Sequence, residues 1–520
     1  MDSDVAQGAE KQDVAVQGSV VAAMTMLSRI SGFVRDVVFS NFFGASAIAD
    51  AFFVAFKIPN FFRRLFAEGA FNQAFVPVLA RYRDGPREEL VAFIRVMTGN
   101  LALTMLVVVG LGILIAPGLI MVFAPGFRNQ PEQFALARDM VEITFPYLGF
   151  ISMTAFAGAI LNSHHRYAIP AFTPVLLNLS LIGAILFASG YFPQPVFAVA
   201  WGVVFAGLAQ FLFQFPALKS LGLVVMPRVS PRHEGARRVG VLLLPAVFAA
   251  SVNQINALID TMLASTLITG SISWLYYSDR LLELPIGLVA VALGTVLLPN
   301  LSRLDSEENL SGFRETLDWG LRVGAFFALP AAAALFVLAV PLISSIFMHG
   351  ALTALDARMA ALSLQAFAVG LLPLVLVKVL APAYFAQEDT ATPFRIGVVA
   401  VIVNIVLNLA LFRIMGHVGL ALATSAAAAV NAYLLWRGLY HAGRCRPSRQ
   451  SGLMLIRCAV ATLAMVGVLL FITPEDRAWL ESTILGRALW LTGSVGVGVL
   501  VYLAGIWLLG GRISHLLHRA

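Results

Sequence analysis

Apolar residues fill most of this chain in blocks of about twenty, and short polar stretches separate the blocks. A block of this length is typical of an α-helix that crosses the roughly 30 Å hydrocarbon core of a membrane. The pattern predicts spans near residues 19–43, 47–80, 90–124, 134–162, 168–190, 195–217, 238–266, 271–301, 316–348, 356–386, 393–414, 417–440, 452–472 and 485–510. We therefore expect an all-α polytopic membrane protein with about fourteen transmembrane helices.

The composition agrees with this assignment. Hydrophobic residues make up 59% of the 520 positions and charged residues only 12%, which is too apolar for a soluble protein of this length. Residues 1–18 are polar and lack the basic and apolar regions of a cleaved signal peptide, so we expect them to form a cytoplasmic tail before a retained first span.

The net charge of +7 has two interpretations, nucleic-acid binding or the excess of basic residues that marks the cytoplasmic side of membrane proteins. The loops after even-numbered spans hold most of the basic loop residues, among them Arg81, Arg83, Arg87, Lys219, Arg228, Arg232, Arg303, Arg314, Arg444 and Arg446. The opposite loops hold only scattered cases. This asymmetry favours the membrane interpretation and predicts that both termini lie in the cytoplasm.

An internal repeat appears when the chain is compared with itself at a shift of about 222 residues. FVPVLARY at 75–82 then aligns with LLPNLSRL at 297–304, with the proline, leucine and arginine in common. Chance similarity is frequent in apolar sequence, but a parallel repeat is typical of carriers built from two six-helix lobes. We expect a tail at 1–18, an N-lobe at 19–222, a C-lobe at 223–442, and two further spans with a cytoplasmic tail at 443–520, with the lobes pseudo-symmetric around a central cationic cavity.

The first two spans contain charges that a lipid-facing helix should not have. They are Arg29, Arg35, Asp36, Asp50, Lys57, Arg63, Arg64 and Glu68. Each charge at the bilayer centre opposes insertion by roughly 2.5 to 3.5 kcal/mol, so as a set they are expected to face a hydrated interior or one another. The alternative for a single residue is that it reaches a headgroup or pairs along its own helix.

Pro59 leaves the phase of the second span open. On an unbroken helix one stripe would contain Asp50, Lys57, Arg64 and Glu68. A proline removes a backbone hydrogen bond and can kink the helix, in which case Arg63 rather than Arg64 would turn inward.

Polar residues also occur in later spans: Asn253, Gln254, Asp260, Asp279, Arg280, Glu283 and Lys378. An excess of arginine suits an anion, and the planar guanidinium fork suits phosphate or diphosphate in particular. The asparagines and glutamine suit a sugar or peptide headgroup, or equally hydrogen bonds between helices.

Enzyme motifs are missing where chemistry would need them. The sequence has no G-x-x-x-x-G-K-[ST] loop, and His164 and His165 lack further ligands at metal-binding spacing. We expect no enzyme activity, no metal and no cofactor.

Three segments resemble the MurJ (also called MviN) lipid II flippase family: SRISGFVRD at 28–36, DAFFVAFKIPNFFRRLFAEGAFNQAFVPVLARY at 50–82, and SWLYYSDRLLELPIGLVAVALGTVLLPNLSR at 273–303. The resemblance extends through essentially the whole chain. It implies that the chain is a member of the multidrug/oligosaccharidyl-lipid/polysaccharide exporter superfamily. This member would move undecaprenyl-diphosphate-linked peptidoglycan precursor to the outer leaflet by alternating access.

The resemblance also implies roles for particular residues. Arg29, Arg35, Arg63 and Arg280 would bind the substrate. Asp36, Asp50, Glu68 and Asp279 would be the matching acidic positions, and Lys57 and Lys378 further cavity or structural cations. From the pattern of the spans alone, we expect the other intramembrane residues named above to line or gate the cavity. The resemblance implies lipid II as the partner, a bacterial cytoplasmic membrane location, and an unidentified coupling ion if one is used. We also expect contacts with membrane lipids, no nucleic acid, a monomer, and peptidoglycan synthesis proteins as candidate further partners. The alternatives are a cation-coupled drug exporter or another polyprenyl-linked oligosaccharide exporter of the same superfamily, and a membrane enzyme of lipid-linked sugar metabolism.

Overall fold

The computed structural model describes residues 2–64, 70–446 and 448–511, and for residues 2–17, 70, 248–253, 290–292 and 295 it describes the backbone only. Every regular element in these ranges is helical. By their contacts the residues form two compact units, Met1–Thr266 and Leu267–Ala520.

Within the described residues, the first unit contains ten α-helices. They are α1 (Asp2–Phe43), α2 (Ala47–Arg63), α3 (Ala70–Arg83), α4 (Arg87–Leu114), α5 (Ala116–Phe123), α6 (Pro131–Thr144), α7 (Tyr147–Ser163), α8 (Ala168–Gly183), α9 (Val196–Ser220) and α10 (Glu234–Ser265). The main packing pairs are α1 with α8, α8 with α9, α2 with α6, α7 with α9, and α3 with α10. Helix α10 therefore packs within the first unit, and the lobe boundary expected at residues 222 and 223 stays a prediction.

The described part of the second unit contains eight α-helices. They are α11 (Ser271–Ser306), α12 (Leu310–Val337), α13 (Ala339–Phe347), α14 (Ala354–Phe385), α15 (Ala391–His441), α16 (Arg449–Ile472), α17 (Asp476–Glu481) and α18 (Ile484–Leu508). Helix α14 lies at the centre of this unit and packs against α11, α12 and α15, whereas α16 packs against α18 and α12.

Nine helical stretches among the described residues are long and apolar enough to cross a membrane. The predicted class, an all-α multi-pass membrane protein, is confirmed, whereas the exact count of fourteen spans stays a prediction. Several predicted spans consist of two helices in the structure. The span at 90–124 divides at Ile115 and the span at 316–348 divides at Leu338, because these residues have the backbone angles of helix ends.

Helix α15 contains a sharp reversal at Gly416, whose φ of 57° and ψ of −136° lie outside the helical region. The parts on either side lie against each other: Asn404 Nδ2 donates to Thr424 Oγ1 at 3.3 Å. A Cβ added at Gly419 would lie 2.7 Å from the carbonyl oxygen of Leu411. Gly416 therefore serves as the whole turn between the predicted spans 393–414 and 417–440.

The C-terminal helices are fixed to the rest of the second unit by polar contacts. Tyr502 on α18 donates its hydroxyl to the Phe326 carbonyl of α12 at 2.8 Å. Arg487 donates to the carbonyls of Ser344 and Met348, at the end of α13, at 3.0 and 3.2 Å. These bonds connect α18 to backbone carbonyls of α12 and of the C-terminal end of α13.

Candidate functional site

Two charged residues of α1, Arg35 and Asp36, form a buried network with α8. Arg35 is 8% exposed and Asp36 3% exposed, and Arg35 Nη2 lies 2.6 Å from Asp36 Oδ1. Arg35 Nη1 also donates to Asn178 Oδ1 at 3.1 Å. The amide nitrogen of Asn178 donates back to α1, to the carbonyl of Ser28 and to the hydroxyl of Ser31. A charge pair in an apolar environment needs such hydrogen bonds to offset the loss of solvation.

Arg29 is in a different environment from its neighbours on α1. It is exposed, whereas Asp36, two turns further along the same helix, is buried. Seven residues make close to two turns of an α-helix, so the two residues share a face, and the unit buries only one end of that face.

Helix α2 continues through Pro59 without a break. Proline has no backbone N–H, so the carbonyl of Ala55 loses its donor from four residues ahead. The buried hydroxyl of Thr144 on α6 lies 3.3 Å from this carbonyl and 3.4 Å from the Val141 carbonyl of its own helix, so its one proton is shared between the two acceptors. A neighbouring helix thus offers a donor to the carbonyl that Pro59 leaves without one.

Because α2 is continuous, three of the four residues predicted to form one stripe, Asp50, Lys57 and Arg64, lie along one face of the helix. Asp50 is 3% exposed in the first turn, which the Ser46 side chain caps. The Lys57 ammonium donates to the Thr261 hydroxyl on α10. Arg64 lies at the exposed end of α2, with its Nη1 3.5 Å from Gln254 Oε1.

Arg63 lies beside this stripe and is half-buried. Its Nε donates to Asn60 Oδ1 at 3.1 Å, one turn back on the same helix. Arg64 contacts α10 through Gln254, and which of the two arginines faces a cavity stays a prediction.

Helix α10 provides further polar groups. Asp260 is half-buried beside Thr261, and Asn256 is half-buried one turn earlier. The side chain of Asn253 and all of Glu68 lie outside the described residues, so their predicted roles stay predictions.

The predicted residues of the second unit lie on α11 and α14. Arg280 donates to Glu283 Oε2 at 2.8 Å and to the Tyr276 hydroxyl at 3.1 Å. The Arg280 guanidinium also lies 5.0 Å from the centre of the Tyr276 ring, which adds a cation–π contact. Asp279 and Lys378 are exposed on their helices.

Three partners of the predicted residues were missed by sequence reasoning: Asn178, Thr261 and Tyr276. Each is a common residue type in apolar helices, and only Tyr276 had a local signal, since it precedes Arg280 by one helical turn. The roles of the predicted residues in binding a substrate stay predictions.

Known proteins match this chain in sequence and fold. A family model described as "Lipid II flippase MurJ" matches residues 39–486. A protein of Vibrio cholerae described as "Probable lipid II flippase MurJ" is 45% identical, with 96% of this chain and 97% of that protein covered. The "Lipid II flippase MurJ" of Burkholderia cenocepacia is 37% identical, with 96% and 98% covered.

Solved structures agree with this match. A MurJ structure in an inward closed conformation has a TM-score of 0.79 and 28% sequence identity, covering 93% of this chain and 97% of that one. An inward-facing multidrug transporter of the MATE family has a TM-score of 0.64 at 13% identity, with 82% and 98% covered, and shows the fold alone. Since the family model covers most of the chain and the relatives cover nearly all of it, the chain belongs to the lipid II flippase MurJ family.

Proposed function

We propose that this chain is a lipid II flippase, which moves the undecaprenyl-diphosphate-linked peptidoglycan precursor from the inner to the outer leaflet of the bacterial cytoplasmic membrane. The observation that carries the proposal is the 45% identity to a probable flippase over 96% of the chain. The buried charges on α1 and α2 support it, because a chain that only spans lipid has no use for residues so costly to insert.

The proposed mechanism is alternating access. An inward-open cavity takes up the diphosphate, the two lobes rock, and the headgroup leaves on the outer side. No covalent step and no cofactor is required, both termini lie in the cytoplasm, and the chain acts as a monomer. An inside-negative potential would favour outward movement of the substrate by about 2.3 kcal/mol per negative charge per 100 mV.

The proposed substrate-binding residues are Arg29, Arg35, Arg63 and Arg280. In this conformation the Arg35 guanidinium already donates to Asp36 and Asn178. Phosphate binding at Arg35 would therefore require an exchange of these oxygens for phosphate oxygens. Arg29, which is exposed, needs no such exchange of a buried ion pair.

The test uses cells depleted of their native flippase, in which an impermeant probe measures lipid II on the outer leaflet. We expect the intact chain to restore the signal and Arg63→Ala to lose it at equal membrane abundance. Arg303→Ala is the matched control, since Arg303 forms an exposed ion pair with Glu307 at the end of α11. If the folded, intact chain restores no exposure, the proposed function is wrong.

A further inference from the structure

Thr261 on α10 accepts a hydrogen bond from Lys57 of α2, and its hydroxyl is held in a fixed orientation. Its side chain is buried at 3% exposure, and its hydroxyl donates to the Ala257 carbonyl of the preceding turn at 2.8 Å. A hydroxyl has one proton to donate and two lone pairs. With the proton directed at Ala257, the lone pairs are left to accept from the Lys57 ammonium, which donates to them.

A second contact repeats this arrangement two turns away. Lys57 and Arg64 are seven residues apart on α2, and their partners Thr261 and Gln254 are seven residues apart on α10 in the opposite direction. Seven residues correspond to about 10.5 Å of helix. Helix α10 thus presents neutral oxygen acceptors to α2 at the same spacing as the cations, which a single accidental contact would not produce.

The contact acts on the direction of the ammonium. An ammonium has three N–H donors, and the Thr261 hydroxyl accepts from one of them. Because the hydroxyl is itself fixed by its bond to the Ala257 carbonyl, the contact fixes the position of the Lys57 nitrogen relative to α10.

We propose that Thr261 is a positioning residue, which orients the Lys57 ammonium toward α10 for the anionic headgroup that the protein moves. This inference rests on the proposed function. It predicts that the hydroxyl, rather than the size of the side chain, is what transport requires at position 261.

The first measurement tests the contact independently of transport. The chain contains four lysines, Lys11, Lys57, Lys219 and Lys378. The purified protein is acylated briefly with an isotope-labelled N-hydroxysuccinimide ester, and mass spectrometry compares the modification of Lys57 with that of Lys219 in the same sample. The hydrogen bond holds the Lys57 side chain against α10, so Thr261→Val should release it and raise the relative reactivity of Lys57 about tenfold. Thr261→Ser, which keeps the hydroxyl, should leave it near the level of the intact chain.

The second measurement is lipid II exposure in flippase-depleted cells, at matched membrane abundance. We expect Thr261→Val to lose most of the signal and Thr261→Ser to retain most of it. Equal Lys57 reactivity in the valine and serine variants would overturn the inference whatever the transport result. Equal transport by the two variants would also overturn it.

A third pattern distinguishes failure of the proposed function from failure of the contact. If the intact, folded chain restores no lipid II exposure, the proposed function is wrong and the transport role of Thr261 is overturned with it. A hydroxyl-dependent reactivity of Lys57 in the same preparation would then show that the contact exists without that role.

Discussion

The hydroxyl of Tyr502 supplies a hydrogen-bond donor that Pro330 removes from α12. Proline at position 330 cannot donate to the carbonyl of Phe326, four residues earlier, and Tyr502 on α18 donates to this carbonyl at 2.8 Å. Tyr502 is 5% exposed, so water cannot easily replace it. A buried carbonyl left without a donor costs about 1–3 kcal/mol, while interhelical bonds in membrane proteins average about 0.6 kcal/mol. We therefore expect Tyr502→Phe to lower the free energy of unfolding by about 1–2 kcal/mol. This is the lower part of the range of about 1–3 kcal/mol for an unpaired carbonyl, and it applies because the ring is retained.

The ring contact allows a clean control. The rings of Tyr502 and Phe326 lie 5.4 Å apart, and phenylalanine at position 502 preserves this packing while removing only the hydroxyl. Pro330→Ala returns a backbone N–H that can donate to the Phe326 carbonyl. In that background Tyr502→Phe should cost only about 0.5 kcal/mol, because the carbonyl has its own helical donor and only the weak hydrogen bond between the Tyr502 hydroxyl and the Cys458 thiol is lost.

Titration with sodium dodecyl sulfate in mixed micelles, followed by circular dichroism, measures the four free energies of this cycle. Equal losses in the intact chain and in the Pro330→Ala background would refute the reasoning, since the hydroxyl would then stabilise the protein without reference to the proline. No loss in either background would refute it as well.

Three further predictions concern groups outside this contact. Arg487→Met should destabilise the second unit by about 2 kcal/mol in the same titration, because the carbonyls at the end of α13 lose a charged donor, and an unchanged midpoint would contradict this. Burial, and secondarily a nearby negative charge, raises the pKa of the Cys445 thiol to about 11. In a Cys458→Ser protein, which retains only this thiol, the reaction with maleimide at pH 7.5 should be at least about a hundredfold slower when the protein is folded than when it is unfolded. Similar rates by mass spectrometry would refute the burial argument. Hydrogen bonds from the side chain and the backbone N–H of Thr392 lower the pKa of Asp389. The stabilisation by the Asp389 carboxylate is therefore complete above the unfolded-state pKa of about 3.9 and is lost as the pH falls through the lower folded-state pKa. Asp389→Ala should lower the free energy of unfolding by about 1 kcal/mol at pH 7 and by little below that pH window, and an equal cost at both pH values would exclude a role for the carboxylate charge.

The sequence predicts the membrane helices because length and apolarity are local properties, and each predicted span corresponds to helical segments in the structure. Helix breaks within spans were less accessible. Pro341, three residues after Leu338, is a local signal for the division between α12 and α13, whereas Pro59, a signal of the same kind, lies in a continuous helix. The surroundings of Pro59 include Thr144, which is 85 positions away in sequence and offers a donor to the carbonyl that the proline leaves without one.

The candidate site shows the same limit. Charges in apolar helices identify Arg35 and Lys57 as unusual, because their cost is a property of the residue and its surroundings. Their partners Asn178 and Thr261 are ordinary residues in other spans, and which of many such residues lies opposite a given cation depends on helix packing. The orientation of a side chain, and so the choice between pairing and exposure, became visible only in three dimensions.

The reversal at Gly416 has a consequence for how the protein is made. One residue joins two apolar helices there, so no hydrophilic loop exists that could remain on one side of the membrane while the second helix is still being synthesised. A single helix inserted alone would leave the polar Asn404 and Asn408, which are buried against their neighbours in the folded protein, facing lipid. We expect the insertion machinery to release residues 391–441 into the bilayer together, as a preformed helical hairpin, rather than one span after the other.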